Sequence, residues 1–256
     1  MITSTDNQQI KNVLKLIKSA KTRRESKSYV IEGLRLFKDC PKELILTAFA
    51  TEEFYDKHKE MLTGIDVKLV NSKVFKAIAD TVTPQGIMAV VKAFDYSIED
   101  IIKGSDQTPA LLVLENLQDP GNLGTIIRMA EGAGITGIIM SKDTVDVYNP
   151  KVVRSTMGSI FRVPYSYVDS LDDAITLLKN EGITVYAGHL DGDDIYFSDF
   201  TLGTAILIGN EGNGLTENIT RQADIMIRIP MCGKVESLNA AMAATIISYE
   251  ILRQRH

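Results

Sequence analysis

Three short stretches hold most of the side chains that could do chemistry. Residues 116–128 read NLQDPGNLGTIIR. Asp119 and Pro120 suit a tight turn, and Gly121 and Gly124 let another backbone come close. Asn122 then falls near a helix start, with Arg128 farther along that helix. Residues 209–214 read GNEGNG, three glycines around Glu211, a composition that can cradle a ligand at a strand end. Residues 228–239 read RIPMCGKVESLN, where Pro230 ends a strand and Ser237 and Asn239 stand where short polar side chains cap helices. Amide, carboxylate, hydroxyl and guanidinium groups can together hold and orient a polar ligand. Each stretch alone has a plainer reading: a turn with a solvated arginine, a flexible turn, and a cap serving only the backbone. Three of them at the C-terminal ends of strands in one sheet point to a shared crevice.

The pattern around them supplies the strands and helices. Residues 110–115 (ALLVLE) form an apolar strand, 122–134 a helix ended by glycine, 137–140 a strand, and 149–159 a helix opened by Pro150. Residues 170–181 carry the helical stripe Leu171, Ala174, Ile175 and Leu178. Strands follow at 184–188, 205–209 and 224–229, with a short helix at 216–222 and a last helix running to about residue 254. Ala240, Ala241, Ala243 and Ala244 let something large approach the start of that last helix, and Ala243, Ile246, Ile247 and Ile251 share one face. Alternating strands and helices indicate an α/β unit with a mainly parallel sheet over residues 109–256.

Residues 1–92 read as a smaller α/β unit. Its helix at 7–21 shows Ile10, Val13, Leu14 and Ile17 on one face, with lysines opposite. Strands are expected at 28–32, 44–50, 67–70 and 86–91, and helices at 33–38, 52–63 and 72–80. Residues 93–108 are polar, with a weak helical middle, and read as the linker.

Composition bounds the rest. The 256 residues are 45% hydrophobic and 24% charged, enough apolar material for a sizeable core. Cys40 and Cys232 make no disulfide framework and no metal spacing, His58, His189 and His256 are scattered, and no metal is expected. The polar N-terminus is no signal peptide and no apolar run is membrane-length, so a soluble cytoplasmic protein is expected. The net charge of −5 hides an asymmetry: residues 1–42 hold ten basic and four acidic residues, +6, which leaves −11 for the remainder. Lys18, Lys21, Arg23, Arg24, Lys27 and Arg35 belong to this basic segment. Such a face fits a polyanion such as RNA; from charge alone a solubilising helix face is an equal reading. The glycine loop is neither G-x-G-x-x-G nor a Walker loop, which leaves a nucleotide-dependent oxidoreductase without its fingerprint.

PGNLGTIIR, IGNEGNG and RIPMCGKVESLNAAMA resemble the three ordered motifs of the SpoU (TrmH-type) RNA 2′-O-ribose methyltransferases of the SPOUT superfamily. The resemblance covers residues 110–254. The N-terminal unit, through its size, its order of elements and YVIEG, resembles the L30e-like substrate-binding domain of that family. The resemblance implies a C-terminal domain with a deep trefoil knot, an exception to unknotted topology. It implies S-adenosyl-methionine as cofactor, a homodimer formed through the C-terminal domain, and structured RNA, ribosomal RNA favoured, as substrate. Carried over position by position, Asn122, Arg128, Glu211, Ser237 and Asn239 are the catalytic set. Gly209, Ile229 and Leu238 would contact the methyl donor, with Ala187, Gly188, Leu207 and Met231 assisting. Glu211 and Asn122 would hold the fork of Arg128. The third motif departs from the family's SLNVS in having Ala241 where the family has serine. Transfer-RNA methylation, base methylation on the same fold, and a catalytically silent RNA-binding protein are the alternatives.

Overall fold

A computed structural model describes residues 1–94, 96–234 and 237–256. Asp95, in the expected linker, and Val235 and Glu236, in the third loop, lie outside the described residues. The chain runs α1 (Gln8–Lys18), α2 (Ala20–Ser26), β1 (Ser28–Glu32), α3 (Leu34–Asp39), β2 (Ile45–Ala50), α4 (Glu52–Lys57), α5 (Lys59–Leu62), β3 (Val67–Leu69), α6 (Ser72–Ile78) and β4 (Ile87–Lys92). It continues with α7 (Ile98–Lys103), β5 (Ala110–Leu114), α8 (Pro120–Gly132), β6 (Gly137–Ser141), α9 (Pro150–Ser155), β7 (Tyr165–Val168), α10 (Leu171–Asn180), β8 (Thr184–Asp194), β9 (Thr204–Ile208), α11 (Glu217–Thr220), β10 (Ile225–Arg228) and α12 (Ala240–Arg255). No described helix is long and apolar enough to cross a membrane. Two compact units result: Met1–Phe94 with Asp146–Phe161, and Asp95–Val145 with Arg162–His256. The linear division at 92 and 109 does not contain the first unit's second segment, residues 146–161.

The first unit is built on a four-stranded sheet of order β1-β4-β2-β3, antiparallel except for the β2–β3 pair. Ile10, Val13 and Leu16 of α1 pack with Val30, Phe49, Val74, Phe75 and Met88. The single helix expected over 7–21 breaks at Ser19, whose extended backbone ends α1 and whose hydroxyl accepts from Thr22 N to start α2. A short polar side chain offers the backbone that alternative, and periodicity does not register it. The helix expected over 52–63 likewise divides, at His58.

The second unit is a six-stranded, all-parallel sheet of order β10-β8-β9-β5-β6-β7. β5 and β9 are central and buried along their whole length, which is why ALLVL and TAILI read as unbroken apolar runs. Leu111 and Leu112 have no exposed surface; each such side chain contributes about 1.5–3 kcal/mol by leaving water. β7 escapes the sequence pattern because it is a four-residue edge strand, only partly buried. The segment expected as a linker carries α7, whose Ile101 and Ile102 join Leu111, Ile139 and Leu178 in this unit's core. Its middle is thus part of the domain.

One irregularity shapes the C-terminal ends of the strands. Along β10 the partner on β8 jumps from Ala187, opposite Met226, to Asp193, opposite Ile227. Gly188–Gly192 are thrown out of the ladder. At Gly192 the two backbones come so close that an added Cβ would lie 2.5 Å from Ile227 N.

Candidate functional site

A cavity of about 400 Å³ opens in the second unit. Leu207 and Gly209 reach it from β9 and the turn that follows, and Ile227 and Ile229 from β10 and its end. The excursion from β8 contributes Gly188, His189 and Leu190; Ser237, Leu238, Ala240, Ala243 and Ile247 come from the start of α12 and the loop before it. Of the four alanines at the start of α12, Ala240 and Ala243 line it while Ala241 and Ala244 are buried. Its size and its mix of apolar wall and glycine-rich polar rim are those of a small-ligand site at the carboxyl ends of parallel strands.

The glycine turn after β9 is folded tightly on itself. Asn210 and Gly214 exchange backbone hydrogen bonds of 3.0 and 2.9 Å. Asn210 Oδ1 accepts from Gly212 N at 2.8 Å and Asn213 N at 3.2 Å. A methyl on Gly209 would come within 2.0 Å of the Gly214 carbonyl carbon, so that position has room for glycine alone.

From this turn Glu211 reaches the first loop. Its carboxylate accepts from Asp119 N at 2.8 Å, Gln118 N at 3.0 Å and Asn122 Nδ2 at 3.0 Å. Desolvation works to raise its pKa, but the amide donors, Asn122 first, outweigh it and hold the carboxyl below the usual range. Asn122 Oδ1 accepts from Asn239 Nδ2 at 3.0 Å, and Asn239 Oδ1 accepts from Ala241 N and Met242 N as the cap of α12. Asp119 caps α8 by accepting from Asn122 N at 2.8 Å, with Pro120 in the first turn. Three loops separated by up to 117 residues are therefore joined by direct hydrogen bonds.

Of the expected catalytic set, Asn122, Glu211 and Asn239 form this chain. Ser237 is exposed and lines the cavity. Arg128 is exposed on α8, six residues beyond Asn122, roughly 9 Å along the helix axis. The expectation that Glu211 and Asn122 hold its fork is corrected: they are engaged with each other, and Arg128 forms no hydrogen bond or ion pair with a described residue. Of the expected cofactor contacts, Gly188, Leu207, Gly209, Ile229, Met231 and Leu238 line the cavity. Ala187 does not; it is the last β8 residue before the excursion and is wholly buried in the core.

Of the expected RNA contacts, Lys18, Lys21, Arg24, Lys27 and Arg35 are exposed. Arg23 is corrected. It is 4% exposed, and its guanidinium donates to Asp146 at 2.8 Å and to the carbonyls of Leu16 and Ile17 inside the first unit. Its hydrogen-bonding capacity serves the fold. Sequence reasoning missed Gln118 and Asp119, whose backbone N–H groups hold Glu211. Their signal is only the Asp-Pro helix start, since backbone donors carry no side-chain identity.

The family described as the SpoU rRNA Methylase family matches residues 109–249, and the MRM3-like substrate binding domain matches residues 7–89. The chain is 32% identical to the 23S rRNA (guanosine(2553)-2′-O)-methyltransferase RlmP of Bacillus subtilis (strain 168), across 98% of each chain. A solved rRNA methyltransferase from Sinorhizobium meliloti with bound AdoMet matches with a TM-score of 0.87 at 32% identity, over 98% of this chain and 97% of that one. The SpoU methyltransferase AviRb from Streptomyces viridochromogenes, in complex with AdoMet, matches with a TM-score of 0.87 at 26% identity, over 97% of this chain and 98% of that one.

Proposed function

The chain belongs to the SpoU rRNA Methylase family, and from that premise we propose that it is an S-adenosyl-methionine-dependent enzyme that methylates a ribose 2′-hydroxyl in ribosomal RNA. The observation that carries the reading is the hydrogen-bonded chain Glu211–Asn122–Asn239, which ties three distant loops together beside one cavity. The ribosomal target is supported by the names of the full-length relatives.

The cavity suits the donor. Its volume of about 400 Å³ lies in the range of small-molecule sites. Leu207, Ile229, Met231 and Leu238 offer apolar walls, and Gly209, Gly212 and Gly214 line the same cavity. When bound, S-adenosyl-methionine supplies a methyl group already activated on a sulfonium, so in-line positioning of the ribose oxygen provides most of the rate. The chain's own residues do the positioning. Glu211, Asn122 and Asn239 fix the loops at one geometry. Ser237, at the cavity wall, is a hydroxyl within the ligand's reach. Arg128 is always a cation as it stands. It binds the phosphate beside the target ribose and orients the 2′-hydroxyl, whose proton passes to water as the methyl is transferred. Its open guanidinium, engaged with no described residue, supports that role.

Residues 1–92 serve as the RNA-docking domain, with Lys18, Lys21, Arg24, Lys27 and Arg35 on its exposed surface. The enzyme acts in the cytoplasm as a homodimer formed through residues 109–256, whose C-terminal part passes through a trefoil knot. Exposed apolar side chains in that part, among them Met226, Met242 and Tyr249, support the pairing.

Binding of S-adenosyl-methionine by calorimetry, followed by transfer of labelled methyl to ribosomal RNA, tests the reading. The expected result is micromolar-range binding and a 2′-O-methyl group mapped to one nucleotide that is unmethylated in a deletion strain. Donor binding without transfer to any RNA would instead identify a catalytically silent RNA-binding protein.

A further inference from the structure

We propose that Glu115 is a positioning residue: its carboxylate fixes the end of the glycine turn that carries Glu211 and walls the cavity. The name of the ligand rests on the methyltransferase reading; the positioning itself does not.

The turn at residues 209–214 is closed on itself by the Asn210–Gly214 bonds, so it moves as one body. Two attachments to consecutive residues at the end of β5 place that body. At its start, Asn210 Nδ2 donates to the Asn116 carbonyl at 2.8 Å. At its end, Thr216 donates to the Glu115 carboxylate twice, from its backbone N at 2.8 Å and from Oγ1 at 2.7 Å. The same Thr216 caps α11. Asn116 takes the left-handed conformation, with φ of 53°. The chain therefore turns there immediately after Glu115, and residues 118–122 come round to meet Glu211 from the other side.

Glu115 is 5% exposed, and the two groups of Thr216 that donate to its carboxylate are neutral. It forms no ion pair with a described residue. A carboxylate buried on such terms costs stability, and an apolar side chain of similar size would relieve that cost. What the carboxylate does, and an apolar group cannot, is hold both donors of Thr216 in one geometry. Stability and positioning therefore predict opposite consequences of substitution.

The test uses the full-length protein with Glu115→Leu, Glu115→Gln and Thr216→Val. Binding of S-adenosyl-homocysteine, the demethylated donor, is measured by calorimetry, alongside hydrogen exchange of residues 209–215 and the melting temperature. Glu115→Leu is expected to weaken the probe by about tenfold, the scale of a lost hydrogen bond to a charged group. Exchange in the turn accelerates while the melting temperature does not fall in proportion. In Glu115→Gln the amide oxygen still accepts from Thr216 N and its NH₂ donates to the hydroxyl, so affinity and exchange return to near wild-type. A folded Glu115→Leu with wild-type affinity and wild-type exchange in the turn overturns the proposal. Should Glu115→Leu not fold, Thr216→Val, which loses one of the two bonds and the hydroxyl cap of α11, decides with exchange of residues 217–220 as the control for the cap: faster exchange confined to residues 209–215 supports the proposal, and unchanged exchange there with unchanged affinity, or acceleration confined to residues 217–220, overturns it. If the wild-type protein itself fails to bind the probe, the methyltransferase reading falls, and exchange of residues 209–215 alone then decides the positioning.

Discussion

Asn239 Nδ2 donates to Asn122 Oδ1 across 3.0 Å, and this contact sets the polarity of the whole candidate site. Asn239 Oδ1 is committed to the first N–H groups of α12, so only its amide nitrogen can face Asn122. Asn122 must then present its oxygen to Asn239 and its nitrogen to Glu211, which as a carboxylate only accepts. A helix start, two amides and a charge form one directional chain.

Asn122→Asp breaks that direction. It replaces the donor to Glu211 with a second carboxylate, and like charges at that distance cannot both ionise comfortably. Methyl transfer is expected to fall by about a hundredfold, the scale of one lost hydrogen bond to a charged group with like-charge repulsion added, and by more than in Asn122→Ala. Single-turnover kinetics on the two variants checks the order; an Asn122→Asp enzyme faster than Asn122→Ala refutes the polarity argument.

The lowered pKa of Glu211 makes a pH prediction. Burial opposes ionisation, but the donors Asn122, Gln118 and Asp119 favour the charged form in the folded state. A depressed carboxyl stabilises the fold above the ordinary glutamate pKa of about 4.3 and loses that contribution as pH falls through its lower folded value. Melting curves of wild type and Glu211→Gln should converge as pH falls through that window and differ most at neutral pH. Curves that stay parallel from neutral to acid pH would show that Glu211 titrates alike folded and unfolded.

Arg128→Ala should abolish methyl transfer and leave the fold intact, with stability changed by no more than about 0.5 kcal/mol, as for an exposed side chain without partners. Arg128→Lys should not restore activity, because a point charge does not reproduce a planar fork. Near-normal turnover in Arg128→Ala would remove this residue from the mechanism.

The basic residues of the first unit divide into two kinds. Charge reversal at Lys18, Lys21 and Arg24 should weaken RNA binding, lower its salt dependence by about one unit of slope per lost phosphate contact, and spare both donor binding and melting temperature. Arg23→Ala should behave differently. It strands Asp146 and two carbonyls, a loss of about 3–5 kcal/mol for a broken buried pair, read as a fall in melting temperature. Equal RNA affinity before and after the triple reversal, at matched salt, defeats the docking surface.

Much of the architecture was legible in the residues. ALLVL and AILI announced strands through their unbroken apolar runs, and the structure places both at the centre of the sheet, buried on both faces. Asn239 announced a helix start because orphan N–H groups select short acceptors, while Asp119-Pro120, expected as a tight turn, opens α8 two residues earlier than expected. What misled was local chemistry overriding period: Ser19 split one helix into two, and α7 turned an expected linker into core.

The sequence by itself determined most of the elements, though not β7 or the place of α7 in the core, and which loops carry polar groups, because propensity, capping and hydrophobic period act over a few neighbouring residues. It could not determine that Asn122 would pair with Glu211 and Asn239 and not with Arg128, or that Arg23 would be buried while Arg24 stays exposed. Those outcomes depend on partners 89, 117 and 123 residues away. Strand order, the excursion of β8 and the closing of the glycine turn choose among side chains of equal local suitability. Only the tertiary structure brings those distant partners within hydrogen-bonding distance.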